Sequence, residues 1–257
     1  MNRLMRLLVV VVSAVVRVDA QGPPADHWPS VIASIERAAI EGSATSLKSA
    51  RDDLLRRAPA LSIGGRAPLV QYAIAYTAWR IASLSRVSDD ERNALLDDGA
   101  ERLQAIVNAN PQDAEALALL GGLYALQIGR SPFKAIVLGT RVSGALERAA
   151  ELSPTNPRVA LQAGISAFHT PAAFGGGANK AERLLRRSVE LFAQEPRDRP
   201  WPNWGRVDVH AWLGQVLARK GDRIGARAEY DTALALAPSS GWVAHVLLPA
   251  LERGTKP

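Results

Sequence analysis

The residues best suited to acid–base or metal chemistry are four histidines, His27, His169, His210 and His245. No two stand at helical i, i+4 spacing with a glutamate between them, so the paired ligands and general base of a zinc peptidase are missing. The chain has no cysteine, which removes disulfide scaffolds, thiolate metal sites, iron–sulfur clusters and thiol nucleophiles. It has no Gly-x-Ser-x-Gly elbow, and Gly175-Gly176-Gly177-Ala178-Asn179-Lys180 lacks the spacing and terminal hydroxyl of a phosphate loop. No catalytic residue is assigned, and neither a metal nor a cofactor is expected.

Aromatic crowding is the stronger signal. Phe168, His169 and Phe174 lie close together, and Trp201, Trp204, His210 and Trp212 follow. Flat rings interleaved with a few polar groups suit a peptide, a glycan or a lipid. Phe168, His169, Phe174, Trp204 and His210 are therefore the expected partner- or ligand-binding residues, on two loops, 169–177 and 200–205, that meet at one edge of a groove. The competing structural reading is that the tryptophans fill gaps between widely spaced helices. The glycine triplet also has two readings. Amides at a helix start near Ala178, helped by Lys180, suit an anion; equally, the glycines permit a tight turn after Pro171 ends the preceding helix.

These side chains must be carried by helices. From residue 27 onward, segments of 12 to 22 residues repeat their apolar positions every three or four residues, with Pro and Gly at the breaks. No segment sustains the alternation of a half-buried strand, so the fold class is all-α. Ser88 to Glu91 reads as a capping box and Asp222 as an N-cap. A recurring phrase organises the helices into pairs. Its clearest copy is Leu213-Gly214, Leu217, Ala226, Tyr230, Ala233 and Pro238, in which Gly214 and Ala226 admit close helix contact and Leu217 and Tyr230 fill the space between. Looser copies are Ile74-Ala75, Ala78, Leu103, Ile106 and Pro111; Leu120-Gly121, Tyr124, Leu146, Ala149 and Pro154, interrupted by about nine residues around 130–140; and Ala163-Gly164, Ala167, Ala181, Leu185 and Ser188.

Over residues 66–240 these phrases resemble the tetratricopeptide-repeat (TPR) family. Phe168-His169-Thr170-Pro171, Phe174-Gly175-Gly176-Gly177 with Lys180-Ala181, Trp204-Gly205, Gly241-Trp242 and Leu247-Leu248-Pro249 are similar, more narrowly, to a group of exported bacterial repeat proteins. The resemblance implies a right-handed α-solenoid of stacked hairpins acting as a binding module, not an enzyme. One departure is the spacing: Ala75, Gly121, Gly164 and Gly214 are 46, 43 and 50 residues apart, where the family repeat is about 34.

Arg3 and Arg6 followed by an apolar run from Leu7 to Val16 and a small residue at Ala20 read as a signal peptide over 1–20. The run is too short to span a bilayer, which takes about 20 apolar residues, so cleavage to a periplasmic or secreted product is expected. Residues 21–65 form a helical pair, Trp28 to Ile40 and Thr45 to Arg57, read as a cap with a degenerate repeat as the alternative. Residues 241–257 form a C-terminal capping helix and tail. The chain has 257 residues, a formal charge of +6 and 22% charged residues, and a mean hydropathy of -0.03. That balance excludes a polyelectrolyte tail and a multi-span membrane protein, and the mild basic excess does not imply nucleic acid. The expected function is recognition of a protein or peptide in the bacterial envelope on an inner groove; the alternative is a carrier of a small apolar ligand such as a lipid or glycan, associated with a transporter.

Overall fold

A computed structural model describes residues 27–84, 87–129 and 132–255, so the expected leader over 1–20 lies outside the described residues. Every regular element among the described residues is helical: α1 (Trp28–Glu41), α2 (Ala44–Leu61), α3 (Ala67–Ala82), α4 (Asp89–Ala109), α5 (Ala114–Ile128), α6 (Pro132–Leu152), α7 (Pro157–His169), α8 (Ala178–Gln194), α9 (Arg206–Arg219), α10 (Arg223–Leu236) and α11 (Leu248–Arg253). Short 3-10 turns occupy Ile63–Gly65 and Ala172–Phe174, and a π turn occupies Val243–Leu247.

The hairpins α3/α4, α5/α6, α7/α8 and α9/α10 are the four pairs that the repeated phrase marks, and consecutive hairpins stack as an α-solenoid. The small residues of the phrase sit where helices touch. A Cβ at Gly121 would lie 2.9 Å from Leu146 Cγ, and one at Gly164 would lie 2.7 Å from Leu185 Cγ. Starts follow local chemistry: Asp222 accepts a hydrogen bond from the Gly225 amide at 2.8 Å, and Ser88 accepts one from the Glu91 amide. The second arm of the Ser88 capping box is not made, because the Glu91 carboxylate pairs with Lys48 at 2.6 Å instead.

Two boundaries differ from the sequence reading. Helix α2 continues to Leu61, through Pro59, instead of ending at Arg57. The residues expected to interrupt the second repeat largely extend α6, which is 21 residues long. Its first turns project past the end of α5, which leaves Phe133 82% exposed, with Ile136 and Val137 also in solvent.

The solenoid curls tightly enough for its first and last hairpins to meet. Gly241 rests so closely on the Glu41 carbonyl that no side chain fits there, and Arg80 of α3 reaches Asp208 of α9 at 2.6 Å. The π turn and α11 cover α9 and α10, with Val243 and Leu247 packed against Ala211, Tyr230 and Ala233.

The connection from α8 to α9, residues 195–205, crosses the inner side, where it touches the first helix of four hairpins. Trp201 packs edge-on against Trp28 of α1 and Tyr72 of α3, with ring centroids 5.8 and 5.3 Å away. Trp204 lies over Tyr76 and Trp79 at 5.0 and 5.6 Å, and its Nε1 donates to the Tyr72 hydroxyl at 3.2 Å. A buried charge cluster fixes this strap. Arg158 of α7, 1% exposed, pairs with Glu195 and with Glu115 of α5 at 3.1 Å, and donates to the Trp204 carbonyl at 2.9 Å. Arg199 bridges the same two glutamates, at 2.8 Å to Glu115 and 3.1 Å to Glu195. Two guanidinium groups therefore balance two carboxylates, the condition under which charges are tolerated inside a fold.

Candidate functional site

The strap fills much of the concave side and leaves a cleft of about 220 Å³ between α1, α3, the start of α9 and the 240–242 turn. Tyr76, Trp204 and Trp242 provide aromatic walls, with Glu36, Arg80 and Asn203 among the polar lining. Helix periodicity explains the placement. Tyr72, Tyr76 and Trp79 recur at i, i+4 and i+7 on the inner face of α3, and Arg80 beside them points to the incoming end of α9.

Arg80 is fully engaged, donating from Nη1 to Asp208 at 2.6 Å and from Nη2 to the Ala39 carbonyl at 2.6 Å. Burial works against its charge, but Asp208, by its charge and its hydrogen bond, more than offsets that and holds the guanidinium above its usual range. The pair is internally neutral. Glu36 differs, because it makes no hydrogen bond or ion pair among the described residues, and burial raises the pKa of its carboxyl group. The Tyr76 hydroxyl likewise makes no hydrogen bond among the described residues, and burial raises its pKa. Asn203 Oδ1 is enclosed without a partner.

From this cleft a row of rings runs along α9. Trp242 meets Trp212 at 5.2 Å, and Trp212 meets His169 at 5.5 Å and Phe168 at 5.7 Å. Arg219 closes the row, with its guanidinium carbon 3.4 Å from the Phe168 ring centre and a hydrogen bond to the Phe168 carbonyl at 2.6 Å. Burial against these neighbours, and then the Arg219 charge, lower the pKa of His169. His169 and Trp212 retain access to solvent.

The five residues singled out from sequence do not form one cluster. Trp204 lines the cleft but is only 7% exposed, and Phe168 is likewise buried; for both, the packing role accounts for most of the ring surface. His169 lies on the open side of the ring row. His210 faces away from it, with Nδ1 2.7 Å from Glu229 of α10, inside its own hairpin. Phe174 is 81% exposed at the tip of its loop, and no ring of the described residues packs on it.

Nor do the 169–177 and 200–205 loops meet. The first joins α7 to α8 within a hairpin and the second joins α8 to α9 between hairpins, so they leave opposite ends of α8, a helix of 17 residues and about 25 Å at 1.5 Å per residue. The glycine loop is folded on itself. The Gly177 amide donates to the Ala167 and Thr170 carbonyls, each at 2.8 Å, those of Gly175 and Gly176 donate to Ala172 and Pro171, and Lys180 Nζ donates to the Gly175 carbonyl at 2.9 Å. This is the tight turn, with its cation already engaged.

Sequence reasoning missed Glu36, Tyr76, Arg80, Asn203 and Asp208. The Tyr72, Tyr76, Trp79 stripe was a legible sign of a ring-lined inner face. The pairing of residues as distant as Arg80 and Asp208 depends on superhelical curvature, for which the chain carries no local signal. Among the described residues no group of three or more His, Asp or Glu is placed to hold a metal ion, and no helix is long and apolar enough to cross a membrane.

No protein-family model matches the chain, and no curated protein matches it in sequence. Solved structures do share its shape. A thermophilic TPR protein of Thermus thermophilus superposes with a TM-score of 0.60 at 18% identity, over 88% of this chain and 99% of that one. The HusA haemophore of Porphyromonas gingivalis superposes with a TM-score of 0.60 at 22% identity, over 74% of this chain and 93% of that one. At such identities the likeness establishes a TPR-like helical-repeat fold.

Proposed function

We propose that the chain is a non-enzymatic, exported helical-repeat module that binds a protein partner through the cleft and the ring row beside it. The observation that carries this reading is the continuity of Trp242, Trp212 and His169 from the cleft along α9: a partly open aromatic track ending in a pocket suits an extended segment with one anchoring side chain. The strap changes where the partner lies. Instead of running down an empty inner groove, it follows the border of a groove already occupied by residues 195–205.

The size of the cleft weighs against the carrier reading. That alternative has support from the likeness to a haemophore, but small-molecule pockets generally start at about 300 Å³ and enclose most of the ligand. A cleft of about 220 Å³ that opens to solvent accommodates a side chain better.

The test is site-specific photo-crosslinking in the native envelope. A photoreactive residue at His169 or Trp212 should capture the same partner, while one at Phe133 or Ile224, both strongly exposed elsewhere, should capture none. Capture only at Phe133 or Ile224 would refute the site.

A further inference from the structure

We infer that the cleft between α1, α3 and the start of α9 is a receptor for a guanidinium group, the end of an arginine side chain presented by the partner segment. The inference rests on the module reading above and specifies its anchor.

The first observation is the polar inventory. Arg80 and Asp208 satisfy each other, so neither is available for a ligand. Arg206, which also lines the cleft, is committed to the Phe192 and Glu195 carbonyls, with its guanidinium over the Phe192 ring. The groups left over among the described residues are the Glu36 carboxylate, the Asn203 amide, whose Oδ1 is enclosed without a partner, and the Tyr76 and Ser240 hydroxyls. The charged member, Glu36, and the enclosed one, Asn203 Oδ1, only accept hydrogen bonds; the two hydroxyls accept as readily as they donate, and Asn203 Nδ2 donates. A ligand that satisfies them must therefore be rich in donors.

The second observation is the charge and shape of the walls. Among the described residues, Asp208 is paired with Arg80 while Glu36 makes no ion pair, so the complementary ligand is positive. Tyr76 and Trp204 are buried against each other, so the ring left partly open in the cleft wall is that of Trp242, on which a planar cation stacks with little desolvation cost. Guanidinium has five donors in a flat fork, matching both the acceptors and the ring. An ammonium group supplies the charge without the plane. A cleft of about 220 Å³ holds one such side chain and no larger group. An unpaired carboxylate in a half-buried position opposes folding, and it is accounted for if a ligand completes it.

The experiment follows the tryptophan indole N–H resonances of the purified protein during titration with a capped Gly-Arg-Gly tripeptide and its citrulline and lysine counterparts. Citrulline keeps the shape of arginine and removes its charge. The arginine peptide should shift the Trp242 resonance saturably, with the citrulline peptide weaker by about tenfold or more, as expected for losing a charge-assisted hydrogen bond, and the lysine peptide between them. Glu36→Gln should weaken the arginine peptide by about the same factor and leave the citrulline peptide unchanged. Equal affinity for arginine and citrulline, or indifference to Glu36→Gln in a protein with unchanged helicity, would overturn the assignment. So would lysine binding as tightly as arginine. Agmatine binding more tightly than the tripeptide would place a free small cation in the cleft and also overturn it. If crosslinks persist at His169 and Trp212 while the tripeptides fail, only the guanidinium anchor is lost; if those crosslinks fail, the module reading falls whatever the tripeptides do.

Discussion

Replacing Arg158 with alanine tests how the strap is held in place. Its guanidinium is 1% exposed and contacts Glu115, Glu195 and the Trp204 carbonyl, so truncation leaves two buried carboxylates facing a single close cation, Arg199. Removing one partner of a buried ion pair typically costs about 3–5 kcal/mol. Arg199 still lies within 3.1 Å of both glutamates, and Arg206 is 3.8 Å from Glu195, which places the expected loss near the lower end, about 3 kcal/mol. For a domain stable by about 5–15 kcal/mol this is a large fraction, and at about 2–4 °C per kcal/mol the Tm should fall by roughly 6–12 °C. Urea unfolding followed in parallel by circular dichroism and tryptophan fluorescence measures it. Arg158→Met combined with Glu115→Gln removes one cation and one carboxylate together, leaves Arg199 paired with Glu195, and should recover much of the loss. A loss below about 1 kcal/mol for Arg158→Ala would show that the cluster is effectively solvated and that the strap is held by its tryptophans alone.

The remaining predictions concern single positions. Glu36→Gln should raise the stability of the unliganded protein slightly in thermal melts, because burial disfavours the carboxylate; a loss of stability would mean that Glu36 has a partner in the folded state. Gly214→Ala should destabilise by about 1–3 kcal/mol in urea melts, since a Cβ collides with the Tyr230 ring; a neutral result would show that the last hairpin is loosely packed. His169 should titrate by NMR below the ordinary histidine value. Because its unfolded state, titrating near pH 6.5, binds the proton more readily, its contribution to stability is present at pH 7 and is lost as pH falls through that range toward the lower folded value. His169→Gln should flatten that part of the stability profile. His210→Ala should leave partner crosslinking at Trp212 unchanged and cost no more than about 1 kcal/mol, as expected for a partly exposed pair.

The helical layers were legible in the sequence because their causes are local. Gly121, Gly164 and Gly214 mark helix contacts that any reader of the repeated phrase can place, and Asp222 caps α10 by chemistry confined to three residues. The site was less legible. Trp201 and Trp204 were visible as candidate rings, but their partners Trp28, Tyr72 and Tyr76 lie more than 120 residues away, and only the curl of the solenoid brings them together. The failure of the two aromatic loops to meet could have been foreseen, since a loop within a hairpin and a loop between hairpins fall at opposite ends of the shared helix. Glu36 carried no signal at all: an isolated glutamate on an amphipathic helix resembles any solvated charge until its surroundings are known.

The most direct measurement is the response of the six indole N–H signals to the partner segment recovered by crosslinking. Trp212 and Trp242 should shift, while Trp28 and Trp201 hold their positions because the strap stays seated between α1 and α3. Movement of Trp28 and Trp201, with Trp212 and Trp242 unaffected, would mean that the partner displaces the strap and enters the inner groove, contradicting the account.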